Sequence, residues 1–340
     1  MSKIKSTWSV IIKKYNIYLV LVILFFLCAL INPNFMSVGN LTNISKQLAV
    51  TTILAFGATM LIIGGMLDLS AGSVLALAGV IAVDAFKQTD SLVLSLLVGI
   101  LVGMACNLIN AVMVANFKVP PFIATLAMMM AARGMALFYT QGQNILQLGR
   151  FTVFGQDAFY GVPVSVIFLI VIAIFTWYIL RHTRFGRALY AVGGNEEAAV
   201  ASGINEKRVK YTAYLINGAL VGIAGVLFMS RINAGQPNGA VGFEFHALTA
   251  SILGGTSFSG GIGTASGTLA GSFIVGFLNN IMNLANVNSY LQQIIRGAII
   301  ALAVIYDIWI KGRRTKSRLG SIDKSSSSVD GENPAKKEEV

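Results

Sequence analysis

The sequence has few charged residues, histidines and cysteines. Of its 340 residues, 11% are charged and 55% are hydrophobic. The two histidines, His182 and His246, and the two cysteines, Cys28 and Cys106, are scattered, so no metal site and no disulfide framework are predicted. The H-E-x-x-H, G-x-S-x-G and G-x-x-x-x-G-K-[ST] motifs are absent, so we predict no catalytic residue, no cofactor and no ATP site on this chain.

Long apolar runs are what the sequence does contain, and its mean hydropathy is +0.73. Residues 162–180, "VPVSVIFLIVIAIFTWYIL", carry no charge and are long enough to cross about 30 Å of hydrocarbon as a helix. Residues 92–115 form a similar run. The strict alternation of a membrane β-barrel is missing. The predicted fold class is all-α, a polytopic helical membrane protein.

Hydropathy predicts about ten transmembrane helices. The span at 246–258 is short and bounded by glycine, so we expect a broken or re-entrant element there. The predicted spans are 16–32, 47–66, 70–86, 92–115, 120–140, 162–180, 211–232, 246–258, 266–285 and 290–310.

Basic residues predict the orientation, because they are enriched in cytoplasmic loops. With a cytoplasmic N-terminus, only Lys46, Lys87, Arg150 and Arg231 fall on the other side. Both termini are therefore predicted to be cytoplasmic, and the net charge of +11 is explained without nucleic acid. We expect a membrane-spanning domain over 1–315, with its longest internal cytoplasmic loop at 181–210, and a disordered polar tail over 316–340.

That loop contains "GGNEEAAVASGINEKRVK" at 193–210. Asn195 can cap a helix whose first turn carries Glu196 and Glu197, where acidic side chains favour the helix dipole. Gly203 can end this helix, and Asn205 can cap the next one. On the residues alone, the short helix is either a contact for a soluble partner or a solvated interhelical connection.

A resemblance favours the first alternative. "TRFGRALYAVGGNEEAAVASGI" resembles the cytoplasmic loop of permease subunits of bacterial ATP-binding-cassette (ABC) importers of the ribose, xylose, galactose and autoinducer-2 group. Their motif of glutamate, two alanines, three residues and glycine is matched by Glu197, Ala198, Ala199 and Gly203, with Glu196 adjacent. The resemblance implies that these five residues couple the permease to an ATPase. The isoleucine-x-leucine-proline end of the general motif is missing here.

Three further segments resemble the same group in the same order. They are 64–80, with Asp68 in a glycine-glycine-x-x-aspartate-leucine-serine signature, the glycine-rich 248–280, and 292–307. The match covers about residues 40–312. One departure concerns His246, which stands two residues after Glu244, where the family often has aspartate.

The resemblance implies a complete import machine in the bacterial cell membrane. A cytoplasmic ABC ATPase would dock on the coupling loop, and an extracytoplasmic solute-binding protein would deliver a small polyhydroxylated solute, such as a monosaccharide. A second permease copy would complete the path across the lipid bilayer, which operates by alternating access. The alternative from another class is a stand-alone secondary transporter or channel, which requires mid-depth carboxylates, and Asp68 is its best candidate.

Four residues are candidates for the translocation path or a gate. Asp68 lies in a glycine-flanked apolar segment, and it either faces a cavity or caps a helix start. Arg133 and Arg296 each precede a glycine in an apolar helix and could bind an anion, pair with Asp68 or extend toward the headgroups. Asn280 could bind a sugar or link two helices. His246 is either an interfacial hydrogen-bonding residue or a pH-sensitive group.

Overall fold

The computed structural model of the chain describes residues 2–302 and 304–305, with side chains from residue 16 onward. The predicted tail at 316–340 and the end of the last predicted span lie outside the described residues. The helices are α1 Ser2–Ile31, α2 Val38–Ile63, α3 Ala71–Thr89, α4 Leu92–Ala115, α5 Pro121–Thr140, α6 Val164–His182, α7 Arg184–Gly194, α8 Glu196–Ala201, α9 Glu206–Ile232, α10 Phe243–Leu253 and α11 Ala265–Leu284, followed by α12 at 289–302.

Six of the described helices are long and apolar enough to cross a membrane: α2 to α6 and α9. The apolar part of α1, Asn16–Ile31, is shorter. Helices α2, α3 and α9 are mostly buried, whereas α4, α5 and α6 expose most of their length. The prediction of an α-helical polytopic membrane protein is confirmed, with an inner layer of three helices and an outer layer that exposes apolar side chains.

Two helices differ from their predicted bounds. Helix α2 begins at Val38 rather than at residue 47, because Ser37 caps it through a 3.3 Å bond from Asn40 N–H although its first turns are too polar for a hydropathy window. Helix α10 has 11 residues, which corresponds to about 16 Å of helix and cannot span the hydrocarbon. It ends at Gly254, as the glycine-bounded pattern predicted.

The Gly-Gly pairs that follow α2 and α10 form the same structure. Gly65 N–H donates to Ile62 O at 2.9 Å, and Met66 N–H donates to Leu61 O. Gly255 donates to Ile252 O, also at 2.9 Å, and both second glycines have positive φ, +73° and +86°. We call these turns the first and second helix breaks. Gly72 lies inside α3, where a Cβ would overlap the carboxylate of Glu244.

Helix α9 is the centre of the bundle, and glycines bring its backbone against α4. A Cβ on Gly103 would overlap Gly218 O and lie 2.9 Å from Gly222 N. A Cβ on Gly218 would lie 2.5 Å from Gly103 O. Gly99 and Gly222 repeat the contact one turn away. This is a small-residue interface of the type that lets membrane helices pack closely.

The four basic residues predicted for the non-cytoplasmic side all lie at one end of the bundle, around residues 142–163. Lys46 donates to Gln156 O, Lys87 to Leu146 O at 2.8 Å, and Arg150 pairs with Asp90 at 3.2 Å, while Arg231 O accepts from the Gln156 amide. Two-residue strands complete this end: Ile145–Leu146 with Ala234–Gly235, and Ala158–Phe159 with Val162–Pro163. Since α9 starts beside α8 and ends here, the 183–205 loop lies at the opposite end.

Candidate functional site

Helix α8 has the capped geometry that the sequence predicted. Asn195 Oδ1 accepts from Ala198 N–H at 2.9 Å. At the other end Gly203 has φ +83°, Gly203 N–H binds Val200 O at 2.9 Å and Ile204 N–H binds Ala199 O at 3.0 Å. These bonds form a Schellman motif, which requires a residue in the left-handed conformation.

The side chains of α8 divide into an inner and an outer set. Ala199 is buried at 4% exposure, whereas Glu197 and Ala198 are exposed. Glu196 pairs with Lys210 of α9 at 2.6 Å, so α8 is also tied to the start of α9. The motif residues therefore form a short helix, fixed at both ends, whose outward face carries small and acidic side chains. Asn205 caps the next helix, α9, by accepting from Arg208 N–H at 2.9 Å.

Asp68 is buried in a polar network at the entry to α3. Its Oδ1 accepts from Ser70 N–H at 2.7 Å and from Ser70 Oγ, and its Oδ2 accepts from Asn217 Nδ2 at 2.6 Å. Asn217 also donates to Asn107 Oδ1 at 2.9 Å, and Asn110 donates to Ser70 Oγ at 3.2 Å. Asp68 thus binds Ser70, the residue before α3, without capping the helix itself, and the network joins this connection to α4 and α9.

Asn217 is the functional neighbour that sequence reasoning missed. It is 1% exposed and lies against Gly57, where a Cβ would overlap its Oδ1. The signal was available in "YLINGALVG", because an asparagine inside an apolar helix needs a polar partner. Tyr214, one turn earlier, donates to Leu67 O at 3.1 Å and holds the same segment.

We expect Asp68→Asn to lower the free energy of unfolding by about 1–3 kcal/mol, the cost of leaving a buried polar group unpaired. The NH2 group of the new side chain would point toward Ser70 or Asn217. Both of these residues are themselves hydrogen-bond donors to position 68, so one donor would lose its acceptor. Thermal unfolding in detergent measures the effect. Asp157→Asn, at an exposed position, is the matched control, and equal melting of the two variants would contradict the prediction.

Arg133 and Asn280, which were also predicted for the path or a gate, contact other parts of the bundle. Arg133 Nη1 donates to Pro237 O and to Gly239 O, the latter at 2.9 Å, so it anchors the segment between α9 and α10. Asn280 and Asn40 exchange two hydrogen bonds at 3.1 and 2.7 Å. The predicted alternative that an arginine pairs with Asp68 is wrong, since the carboxylate binds Ser70 and Asn217.

Arg296, the fourth candidate, lines a cavity of about 420 Å³ between α10, α11 and α12. Its guanidinium lies 3.3 Å from His246 Nε2 and donates to Gln292 Oε1 at 3.0 Å. His246, the residue at which the sequence departs from the resemblance, thus contacts Arg296 directly. The polar residues of the lining are Glu244, His246, Thr249, Asn279, Gln293 and Arg296.

Known proteins resemble the chain over most of its length. Residues 40–304 match the family model described as "Branched-chain amino acid transport system / permease component". The ribose import permease protein RbsC of Bacillus subtilis is 39% identical over 300 residues, covering 87% of this chain and 93% of the relative. RbsC of Escherichia coli K12 is 39% identical over 84% and 91% of the two chains. The L-arabinose permease protein AraH of Azospirillum brasilense is 35% identical over 91% of each.

No solved structure matches the chain, so the relationship is established by sequence. The family match spans all of α3 to α11 and thus includes α8, the Asp68 network and most of the cavity lining. The chain therefore belongs to the permease-component family of ABC transporters that includes the ribose and L-arabinose permeases.

Proposed function

We propose that this protein is the membrane-spanning permease subunit of a bacterial ABC importer for a monosaccharide or a related polyhydroxylated solute. The observation that carries the proposal is α8, a helix fixed at both ends that bears Glu197, Ala198, Ala199 and Gly203 at the family spacing. The relatives named as ribose and L-arabinose permeases support a sugar as the solute. Hydrolysis of ATP belongs to a partner ATPase that docks on α8.

The finer topology is part of the proposal. The chain crosses the membrane about ten times with both termini in the cytoplasm, and one of these crossings combines the half-helix α10 with the non-helical segment 233–242 before it. The grouping of Lys46, Lys87, Arg150 and Arg231 at the end opposite α8 supports this orientation, because cytoplasmic loops carry the excess of basic residues. The solute-binding protein then docks at the end formed by 142–163.

The solute path includes the cavity beside Arg296. Charged and amide side chains are costly against lipid, so a lining that holds Glu244, Asn279 and Arg296 fits a hydrated path that a second permease copy closes. ATP-driven closure of the ATPases brings the two α8 helices together, and the bundle changes the side to which this path opens.

We expect Arg296→Gln to lower uptake by about tenfold or more, the equivalent of one lost hydrogen bond from a charged group. Association with the ATPase should be unchanged, because the cavity lies away from α8. Uptake of labelled ribose or L-arabinose by proteoliposomes measures the effect, with Arg150→Gln at an exposed position as control. Equal uptake by both variants would exclude Arg296 from the path.

The proposed function is tested by gentle solubilisation from the native membrane and identification of the proteins that co-purify. A stoichiometric ATPase, lost when Glu197 and Gly203 are substituted, is the expected result. A homo-oligomer without an ATPase that moves solute along an ion gradient would instead establish a secondary transporter. Asp68 is a poor coupling-ion site for that alternative, since both its oxygens already accept hydrogen bonds.

A further inference from the structure

Helix α7, which precedes the coupling helix α8, contacts the first helix break and the segment that follows the second. At the first break, a Cβ on Gly64 would lie 2.7 Å from Leu189 Cδ1, and one on Gly65 would lie 3.8 Å from Gly193 Cα. Beyond the second break, Tyr190 Oη donates to Gly263 O at 2.7 Å. One surface of one short helix therefore contacts the connection between α2 and α3 and the connection between α10 and α11.

The closest of these contacts join backbone to backbone. Gly261 N–H donates to Ile63 O at 2.8 Å. A Cβ on Gly193 would overlap the same Ile63 O and lie 3.0 Å from Gly261 N, and a Cβ on Gly260 would overlap Gly193 O. We call Ile63, Gly193, Gly260 and Gly261 the glycine junction. Backbone atoms in close contact cannot be relieved by a change of side-chain rotamer. A displacement of α7 must therefore also move Ile63 on one side and Gly260 and Gly261 on the other.

The two connections that α7 contacts, α2 to α3 and α10 to α11, each continue into residues of the candidate site. Beyond the first break lies Asp68, which is bonded to α9 through Asn217. The segment that follows the second break connects α10 and α11, and these two helices carry Glu244, Thr249 and Asn279 of the cavity lining. The glycine junction thus stands between α8 and the walls of the solute path.

We propose that Gly193 and Tyr190 are positioning residues that transmit the movement of α8 to the first helix break and to the segment that follows the second. The inference rests on the proposed function, since it assumes that an ATPase moves α8. Gly193 does this through backbone contact with Ile63 and Gly261, and Tyr190 ties the same helix to Gly263. Neither residue touches the ATPase face formed by Glu197 and Ala198 or the solute.

Adjacent glycines provide a matched pair of variants. Gly193→Ala places a methyl group against Ile63 O, whereas Gly194→Ala places the same group where no atom lies within 4 Å. Tyr190→Phe removes only the hydrogen bond to Gly263 O, and Tyr178→Phe, at an exposed tyrosine, is its control. The permease is reconstituted with its ATPase and binding protein in liposomes, and the solute moved per ATP hydrolysed is measured beside ATPase association.

We expect Gly193→Ala to keep the ATPase bound and hydrolysing while solute per ATP falls by about fivefold or more, the lower range of coupling between sites. Gly194→Ala should stay within about twofold of the wild type. Tyr190→Phe should also lower solute moved per ATP. This variant alone tests the inference if Gly193→Ala does not yield folded protein. The inference is overturned if solute moved per ATP is unchanged in Tyr190→Phe or in folded Gly193→Ala, or if it falls equally in a variant and its control. Either outcome leaves the proposed function intact. A wild-type chain that binds no ATPase would overturn the proposed function, and this inference with it.

Discussion

Uptake is expected to fall to background in a permease carrying Glu197→Lys together with Gly203→Asp, while the protein remains in the membrane. Glu197 is exposed on α8, so reversing its charge places a cation on the proposed docking face and removes the favourable interaction with the helix N-terminus. Gly203 has φ +83° and ends α8, so an aspartate there places a negative charge at the helix C-terminus, where the helix dipole disfavours anions.

The control for this variant keeps the shape of α8. Glu197→Gln with Gly203→Asn retains a neutral polar side chain, and asparagine tolerates the left-handed conformation better than other residues with a side chain. Uptake by intact cells and the amount of permease in the membrane fraction are measured for both variants. Normal uptake by the charge-reversed variant would remove α8 as the coupling element, because nothing in the bundle itself requires Glu197.

Gly218→Val is expected to abolish the folded permease. A Cβ at this position would lie 2.5 Å from Gly103 O and 2.8 Å from Asn107 Cβ, so the added carbons can fit only if α4 and α9 separate. Overpacking a core typically costs about 1–3 kcal/mol, and here the separation would also stretch the Asn217–Asn107 bond and expose buried polar groups. The two losses together exceed what a marginally stable bundle tolerates.

The yield of monodisperse protein in size-exclusion chromatography, followed by its melting temperature, measures this effect. Gly134→Val on α5 is the matched control, since a Cβ there meets no atom within 4 Å and the residue is exposed. We expect the control to be recovered at nearly wild-type yield. Comparable recovery of both variants would show that the close α4–α9 approach is dispensable.

Local features of this protein could be predicted from its sequence. Asn195, Gly203 and Asn205 sit at helix ends as predicted, because capping depends on residues within one turn of each other. The 246–258 segment was correctly interpreted as broken, since Gly254–Gly255 end the helix by their own backbone freedom. Runs without charge located α4 and α6 to within a few residues.

Long-range pairing could not be predicted in the same way. Asn280 meets Asn40 across 240 positions of sequence, and nothing near either residue indicates the other. Asp68 offered two interpretations because its partner, Asn217, lies on a helix that hydropathy only identified as apolar. The start of α2 was missed because hydropathy measures partition into lipid, while the first turns of this helix depend on the cap at Ser37 and on the packing of Ile44 against distant residues.

The central position of α9 has a consequence for how the sequence can change over time. Gly218, Gly222 and Gly225 all face neighbouring backbone, so substitutions there are limited by volume rather than by polarity. The apolar residues exposed on α5 and α6 are free of this volume limit and need only remain apolar. Sequence drift and useful engineering should therefore be concentrated on the outer layer, and a random library would recover functional variants there while α9 remained almost unchanged.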